Sequence, residues 1–221
     1  MHIAILGSGI VGQTLGAKLL QLGHQVTLGT RNPDQLDDSK GMAGTLRDWQ
    51  AQNGGAVATF ADAAQAAELI VNASSGAATL EVLKLVGAEH LTGKVLLDIA
   101  NPLDFSQGMP PSLFVKDTDS LAEQIQRAYP DVRVVKALNT MSAALMVDPQ
   151  ALAAGEHTVF MAGNDEAAKR QVAELLRSFG WSDLLDLGDL SAARGTEMLL
   201  PIWLRLWQTL GTHMLQFKIV R

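Results

Sequence analysis

The chain has no cysteine among its 221 residues, which excludes disulfides, thiolate metal ligands and a cysteine nucleophile and is compatible with a reducing compartment. It has no basic run either. With a formal net charge of −6 it lacks the clustered cations by which a nucleic-acid surface releases counterions from phosphates, so nucleic acid is not an expected partner. Met1 to Gly7 carry no basic leader or small-residue cleavage site. Arg205, His213 and Lys218 interrupt the apolar C-terminal stretch before an uncharged run reaches ~18 residues, so no membrane span and a cytoplasmic location are expected. The five histidines, His2, His24, His90, His157 and His213, show no metal-ligand spacing, and no metal site is expected. Internal repeats, low-complexity tracts and Pro/Gly linkers are also missing. Nothing therefore divides residues 1–221, which are expected to form one domain with 191–221 as a C-terminal helical extension. At 48% hydrophobic and 18% charged residues the chain is too apolar to be disordered and apolar enough to build a core.

What is present is an alternation of short apolar runs and helix-like segments. Strands are expected at 3–6, 26–28, 57–60, 69–72, 95–99, 132–138, 158–161 and 184–187. That alternation implies an α/β protein of the doubly wound kind, a mostly parallel sheet with helices on both faces. A helix over 11–22 should end at Gly23, which takes a left-handed turn without a side-chain clash. Ser120 and Glu123 have capping-box spacing, predicting a helix to about Tyr129 before Pro130. A further helix over 165–179 is expected to be capped by Asn164, closed by Gly180 and supported by the pairs Asp165 with Lys169 and Glu166 with Arg170. The long irregular stretch 101–118 has the length of a site loop.

Gly7, Ser8, Gly9, Ile10, Val11 and Gly12 form a G-x-G-x-x-G directly after a hydrophobic strand and at the start of an amphipathic helix. Gly7 permits the tight turn, Gly9 lets backbone approach a pyrophosphate, and Gly12 lets the helix lie close on the strand. The free amides of the helix N-terminus supply the donors. The end of the second strand selects among dinucleotides. An acid there accepts from a ribose 2′-hydroxyl and repels a 2′-phosphate. Here it reads Gly29-Thr30-Arg31-Asn32-Pro33, with Asp34, Asp37 and Asp38 only afterwards. A hydroxyl followed by a permanently charged, planar guanidinium suits a phosphate dianion, so NADP(H) is the expected cofactor, held by Thr30, Arg31 and Asn32.

On these motifs the chain resembles the NADPH-dependent reductases of the deazaflavin coenzyme F420, the F420:NADP oxidoreductases, and the cytosolic part of the transmembrane ferric reductases. The likeness extends through Asp98-Ile99-Ala100-Asn101-Pro102-Leu103, Val135-Lys136-Ala137-Leu138-Asn139-Thr140, Gly163-Asn164-Asp165 and the run Asp186 to Arg194. It implies a compact enzyme, often a homodimer, that passes a hydride between nicotinamide and a second flat ring system, a deazaflavin or a flavin. It also implies that Ser8, Thr30 and Arg31 sit on the nucleotide. Two positions depart from the pattern: Gln35 stands where these reductases tend to have a basic residue, and Asn139 where they can carry a histidine facing the deazaflavin.

In an open parallel sheet, ligands lie beyond the carboxyl ends of the strands. The loops that follow the fourth, fifth and sixth predicted strands offer Ser74 and Ser75 for phosphate or ribose, and Asn101 and Asn139 to orient the carboxamide or the second ring. None supplies an obvious acid or base, as carbonyl reduction requires. Hydride exchange between two redox cofactors needs mainly proximity and orientation. Lys136 lies inside a predicted strand, where a structural partner for its ammonium is expected rather than an acid's role. Trp203 and Trp207, four apart with Leu199, Leu206 and Leu210 nearby, make an apolar helical stripe suited to a subunit interface, with Pro201 bending that helix or marking its start. Three readings share these features: an NADP(H)-dependent hydride-transfer enzyme, an imine or 2-oxoacid reductase-like enzyme, and a non-catalytic NADP(H) redox sensor.

Overall fold

The computed structural model describes residues 1–37 and 44–221. The chain runs β1 His2–Leu6, α1 Ile10–Gln21, β2 Gln25–Thr30, α2 Leu46–Asn53, β3 Ala56–Thr59, α3 Phe60–Gln65 and β4 Leu69–Asn72. It continues through α4 Thr79–Val86, α5 Ala88–Leu91, β5 Val95–Asp98, the short ribbon of β6 Leu103–Asp104 and β7 Ser112–Leu113, and α6 Leu121–Ala128. The remainder is β8 Arg133–Ala137, α7 Ala143–Val147, β9 Thr158–Gly163, α8 Glu166–Ser178, β10 Asp183–Asp186, α9 Ala193–Met198 and α10 Leu200–Leu210.

Eight strands form one sheet in the order β10-β9-β8-β5-β4-β1-β2-β3. Six of them run parallel, while β9 is antiparallel to β8 and β10 follows β9. Alternation along β1 sends Ile3 and Ile5 to one face and Ala4 and Leu6 to the other, because successive strand side chains point oppositely. Ile3 and Ile5 pack with Leu15 and Leu19 of α1, Trp49 of α2 and Val172 of α8. Ala4 and Leu6 pack with Ala63 of α3, Leu83 of α4 and Ile125 of α6. Both faces of the sheet are thus covered, and its strands read as near-continuous apolar runs for that reason.

The order of strand addition reverses at β1: β2 and β3 lie on one side of it and β4, β5 and β8 on the other. Open parallel sheets bind ligands at such a reversal, and here a crevice lined by Val11 at the start of α1 and Ala73, Ser74 and Ser75 after β4 lies at the carboxyl edge of the sheet. None of the described helices is long and apolar enough to cross a membrane.

Some local expectations are redirected by tertiary structure. Phe60 starts α3 instead of ending β3, because Thr59 accepts a hydrogen bond from the Asp62 amide as its N-cap. Asp165 rather than Asn164 caps α8, accepting from Ala168 N, while Asn164 Oδ1 accepts from Leu190 N. With Asp165 so engaged, Lys169 reaches Glu166 at 2.7 Å and Asp186 at 2.9 Å instead. The Ser120 cap on α6 forms as expected, its hydroxyl accepting from Glu123 N and donating to Glu123 Oε2. Pro201 marks the start of α10. Trp203 is buried with Leu113, Leu200, Leu204 and Leu215, whereas Trp207 on the same helix stays 40% exposed.

Candidate functional site

The loop from Gly7 to Gly9 lies at the crevice, and two of its glycines are dictated by close approach. A Cβ on Gly7, whose φ is +131°, would sit 2.5 Å from the Ala73 carbonyl oxygen, and one on Gly12 would sit 2.0 Å from Gly7 O. Gly9 differs, because a Cβ there would meet nothing within 4 Å. It caps α1 without a side chain, and no acid occupies the helix's first turn. The result is a 12-residue helix whose N-terminal amides and positive dipole end face open space, which fits a pyrophosphate. Gln13 Nε2 donates to Ser8 O at 3.0 Å and fixes the loop to the helix.

At the next strand, Thr30 is buried at the end of β2 and Arg31 projects from it with 56% of its side chain exposed. Both line a cavity of about 500 Å³ with Thr59, Phe60, Ala61, Glu81 and Leu85. Asn32 turns outward and donates to Gln35 Oε1 at 3.0 Å. Asp37 is engaged by Arg47 through two hydrogen bonds of 2.5 and 3.0 Å, and that partner lowers the pKa of its carboxyl. Asp38 lies outside the described residues.

On the other side of β1, Ser74, Ser75 and Asn101 meet around a cavity of about 230 Å³ with Val11, Gly76, Phe105, Met141 and Met146. Ser74 Oγ donates to Asn72 Oδ1 at 2.6 Å and lies 3.0 Å from Thr79 Oγ1. Asn101 and Asn139 form a reciprocal pair: Asn101 Nδ2 donates to Asn139 O at 2.9 Å and Asn139 Nδ2 to Asn101 Oδ1 at 3.0 Å. Asn139 Nδ2 also donates to Thr196 O at 3.1 Å, so this side chain is buried behind Asn101 and ties the loop to α9. Leu138 turns the chain here with φ of +63°, a costly conformation for a branched, buried residue, and so ends β8 one residue earlier than its apolar pattern predicts. A larger cavity of about 610 Å³ shares Ser75, Gly76, Leu103 and Phe105 with the smaller one and is completed by Leu80, Asp104, Phe114, Leu121 and Gln124.

Beneath the site Lys136 is fully buried between two carboxylates, 2.9 Å from Asp98 Oδ2 and 2.9 Å from Glu197 Oε1. Its ammonium also donates to the Ala100 carbonyl. Burial alone would lower the lysine's pKa, but Asp98 and Glu197 outweigh it and hold the pKa above the ordinary value. A lysine so held stays charged and structural, as its place inside a strand implies. Asp98 Oδ1 accepts from Asn72 Nδ2 at 2.7 Å and from Ala100 N at 3.2 Å, while the Glu197 carboxylate accepts from Leu121 N and Ala122 N at the start of α6. Glu197 and Glu81 escaped sequence reasoning because each reaches its partner from a helix more than forty residues away, with no motif to mark it.

A solved structure from Arthrobacter sp. FB24, named there as a candidate F420-dependent NADP-reductase, superposes with a TM-score of 0.95 and is 54% identical, covering 100% of both chains. The chain belongs to the coenzyme F420-dependent NADP oxidoreductase family. The family model described as "NADP oxidoreductase coenzyme F420-dependent" matches residues 2–102, from β1 to the loop that carries Asn101. The F420-dependent NADP reductase of Methanocaldococcus jannaschii is 26% identical over 205 residues, 91% of this chain and 90% of that protein. Metalloreductase STEAP3 of Rattus norvegicus is 31% identical over 207 residues, 91% of this chain. The chain spans about two fifths of the length of the metalloreductases it matches, 37% and 41% in two of them.

Proposed function

We propose that this chain binds NADP(H) along the carboxyl edge of its sheet and exchanges a hydride between the nicotinamide and a second flat acceptor, a deazaflavin, a flavin or another small molecule. The observation that carries this reading is the acid-free N-terminus of α1 behind Gly7-Ser8-Gly9, set beside Thr30 and Arg31 at the end of the neighbouring strand. Amide donors suit the pyrophosphate, and a hydroxyl with a guanidinium suits the 2′-phosphate. In this reading Gly7, Ser8, Gly9, Ile10, Val11 and Gly12 hold the pyrophosphate, and Thr30, Arg31 and Asn32 the phosphorylated ribose. Ser74, Ser75 and Asn101 hold the nicotinamide half, with Asn139 as the positioning residue behind Asn101.

The bound nucleotide supplies or receives the hydride; the chain's own task is placement. The two contiguous cavities give two ring systems a common wall at Ser75, Gly76, Leu103 and Phe105. The ionisable group in their lining is Asp104, and its pKa is lowered by the backbone and hydroxyl of Ser106, which suits it poorly as a proton donor. A site of that composition favours transfer between redox rings, which requires proximity and orientation. We further propose that the protein works in the cytoplasm as a homodimer joined through the exposed Ile202, Trp207 and Leu210 of α10; a monomer in sedimentation velocity at micromolar concentration would refute the dimer.

Paired titrations with NADPH and NADH, followed by anaerobic mixing with deazaflavin, FMN and FAD, test the reading. Arg31→Ala is expected to weaken NADPH by ~1.5–3 kcal/mol, the worth of a charged hydrogen bond, and NADH far less. Equal losses would remove the 2′-phosphate assignment. Tight NADPH binding that no acceptor oxidises would favour a redox sensor.

A further inference from the structure

The cavity of about 500 Å³ at the end of β2 holds two charged side chains, and they face each other: Glu81 Oε2 on α4 lies 3.7 Å from Arg31 Nη2. The two side chains are 68% and 56% exposed, and a contact of that length between exposed groups is a loose pair rather than a bidentate clamp. Either end can therefore move when a ligand arrives. Asp37 is already committed to Arg47, and Glu81 is the carboxylate that lines this cavity beside Arg31.

Resting on the reading that Arg31 receives the 2′-phosphate, we infer that Glu81 is a specificity-determining residue of the nucleotide site. NAD-selective sites place an acid at the end of the second strand, where it accepts from the ribose 2′-hydroxyl and repels a phosphate. This chain has Thr30 and Arg31 there and supplies the acid from α4 instead, across the cavity. A 2′-phosphate must displace Glu81 from Arg31 and then sit beside its negative charge. A 2′-hydroxyl meets neither cost and gains an acceptor. Discrimination between NADPH and NADH is thus set by one cation opposed by one anion, and Glu81 narrows the preference that Arg31 creates.

The test is titration of the full chain with NADPH and with NADH, followed by nicotinamide fluorescence, for wild type, Glu81→Gln and Glu81→Lys. Glu81→Gln is expected to bind NADPH roughly two- to five-fold tighter, the range of one exposed ion pair, with NADH unchanged or weaker. Glu81→Lys should extend the shift, because attraction then replaces repulsion. NADPH affinity that is unchanged or lower in Glu81→Gln, or a parallel gain for both nucleotides, overturns the role of Glu81 while leaving the dinucleotide site standing. Failure of wild type to bind either nucleotide overturns both.

Discussion

Lys136→Met is the most informative single change in this molecule, since the side chain keeps its length and loses its charge. Lys136 and Asp98 have 0% of their side chains exposed and Glu197 has 1%, so the ammonium neutralises carboxylates that water does not reach. Removing one partner of a buried ionic cluster costs about 3–5 kcal/mol because the remaining charge is left uncompensated. Part of that cost is offset here. Asp98 keeps Asn72 Nδ2 and Ala100 N, and Glu197 keeps two amides of α6, so a value near the lower bound, ~3 kcal/mol, is expected. Against a total of ~5–15 kcal/mol for a folded domain the loss is large. Urea unfolding followed through the four tryptophans measures it as a lower midpoint. The combination Asp98→Asn, Lys136→Met, Glu197→Gln should recover most of the loss, because it removes the stranded charges along with their partner. A cost below ~1 kcal/mol for Lys136→Met alone would mean that the ionic cluster does not exist as described.

Two further outcomes are expected. Gly12→Ala places a methyl 2.0 Å from Gly7 O and must displace the loop, so NADPH affinity should fall by about tenfold or more, together with ~1–3 kcal/mol of stability; unchanged affinity in a titration would show that the loop is not the phosphate site. Arg127 and Gln124 hold Asp119 at a pKa of about 2 against an ordinary 3.8, so its contribution is present above the ordinary value and disappears as pH falls through about 2. Discounted for solvent screening it amounts to ~1–2 kcal/mol, and the gap in urea midpoint between wild type and Asp119→Asn should therefore shrink from pH ~5 to pH ~2.5. A gap that does not change with pH would refute that account.

All eight strands of the main sheet were legible in the sequence, because strands covered on both faces read as apolar runs and the glycine loop punctuates the first of them, while the β6–β7 ribbon lies inside the stretch 101–118 expected to be irregular. The doubly wound, mostly parallel class followed from the alternation of strand and helix, but the strand order and the antiparallel pairing of β9 with β8 did not. Boundaries failed where a non-local or backbone event decided them: Thr59 claimed Phe60 for a helix by capping, and the positive φ of Leu138 ended β8 early. The expected site residues Ser74, Ser75 and Asn101 do converge on one cavity, since strand order alone brings the loops after β4 and β5 together. Asn139 lies behind them, a distinction between lining and supporting that no local pattern encodes. Lys136 was legible as a buried lysine that needs a partner, but neither Asp98 nor its second partner, Glu197, was identified there. Glu197 sits sixty-one positions away in a segment whose composition marks only a helix.

That second partner bears on whether residues 191–221 are an appendage or part of a single domain, which we propose the whole chain to be. Glu197 accepts from two amides at the start of α6 and binds Lys136 at 2.9 Å, and Thr196 O accepts from Asn139. Farther on, Phe217 O accepts from Thr158 N and Ile219 N donates to Thr158 Oγ1 at the start of β9, while Trp203, Leu204 and Leu215 bury Leu113 of the site ribbon. Deletion after residue 190 would strand the buried amides of Leu121 and Ala122, each worth about 1–3 kcal/mol when left unsatisfied, and would expose the apolar patch around Leu113. The two amides alone remove about 2–6 kcal/mol, a large share of a stability of ~5–15 kcal/mol, before the exposed patch is added. Residues 1–190 produced alone should therefore give a broad, low-midpoint thermal transition and no saturable NADPH binding. A sharp transition at the midpoint of the full chain, with nucleotide affinity retained, would make the extension an independent addition and would detach Glu197 from the architecture of the site.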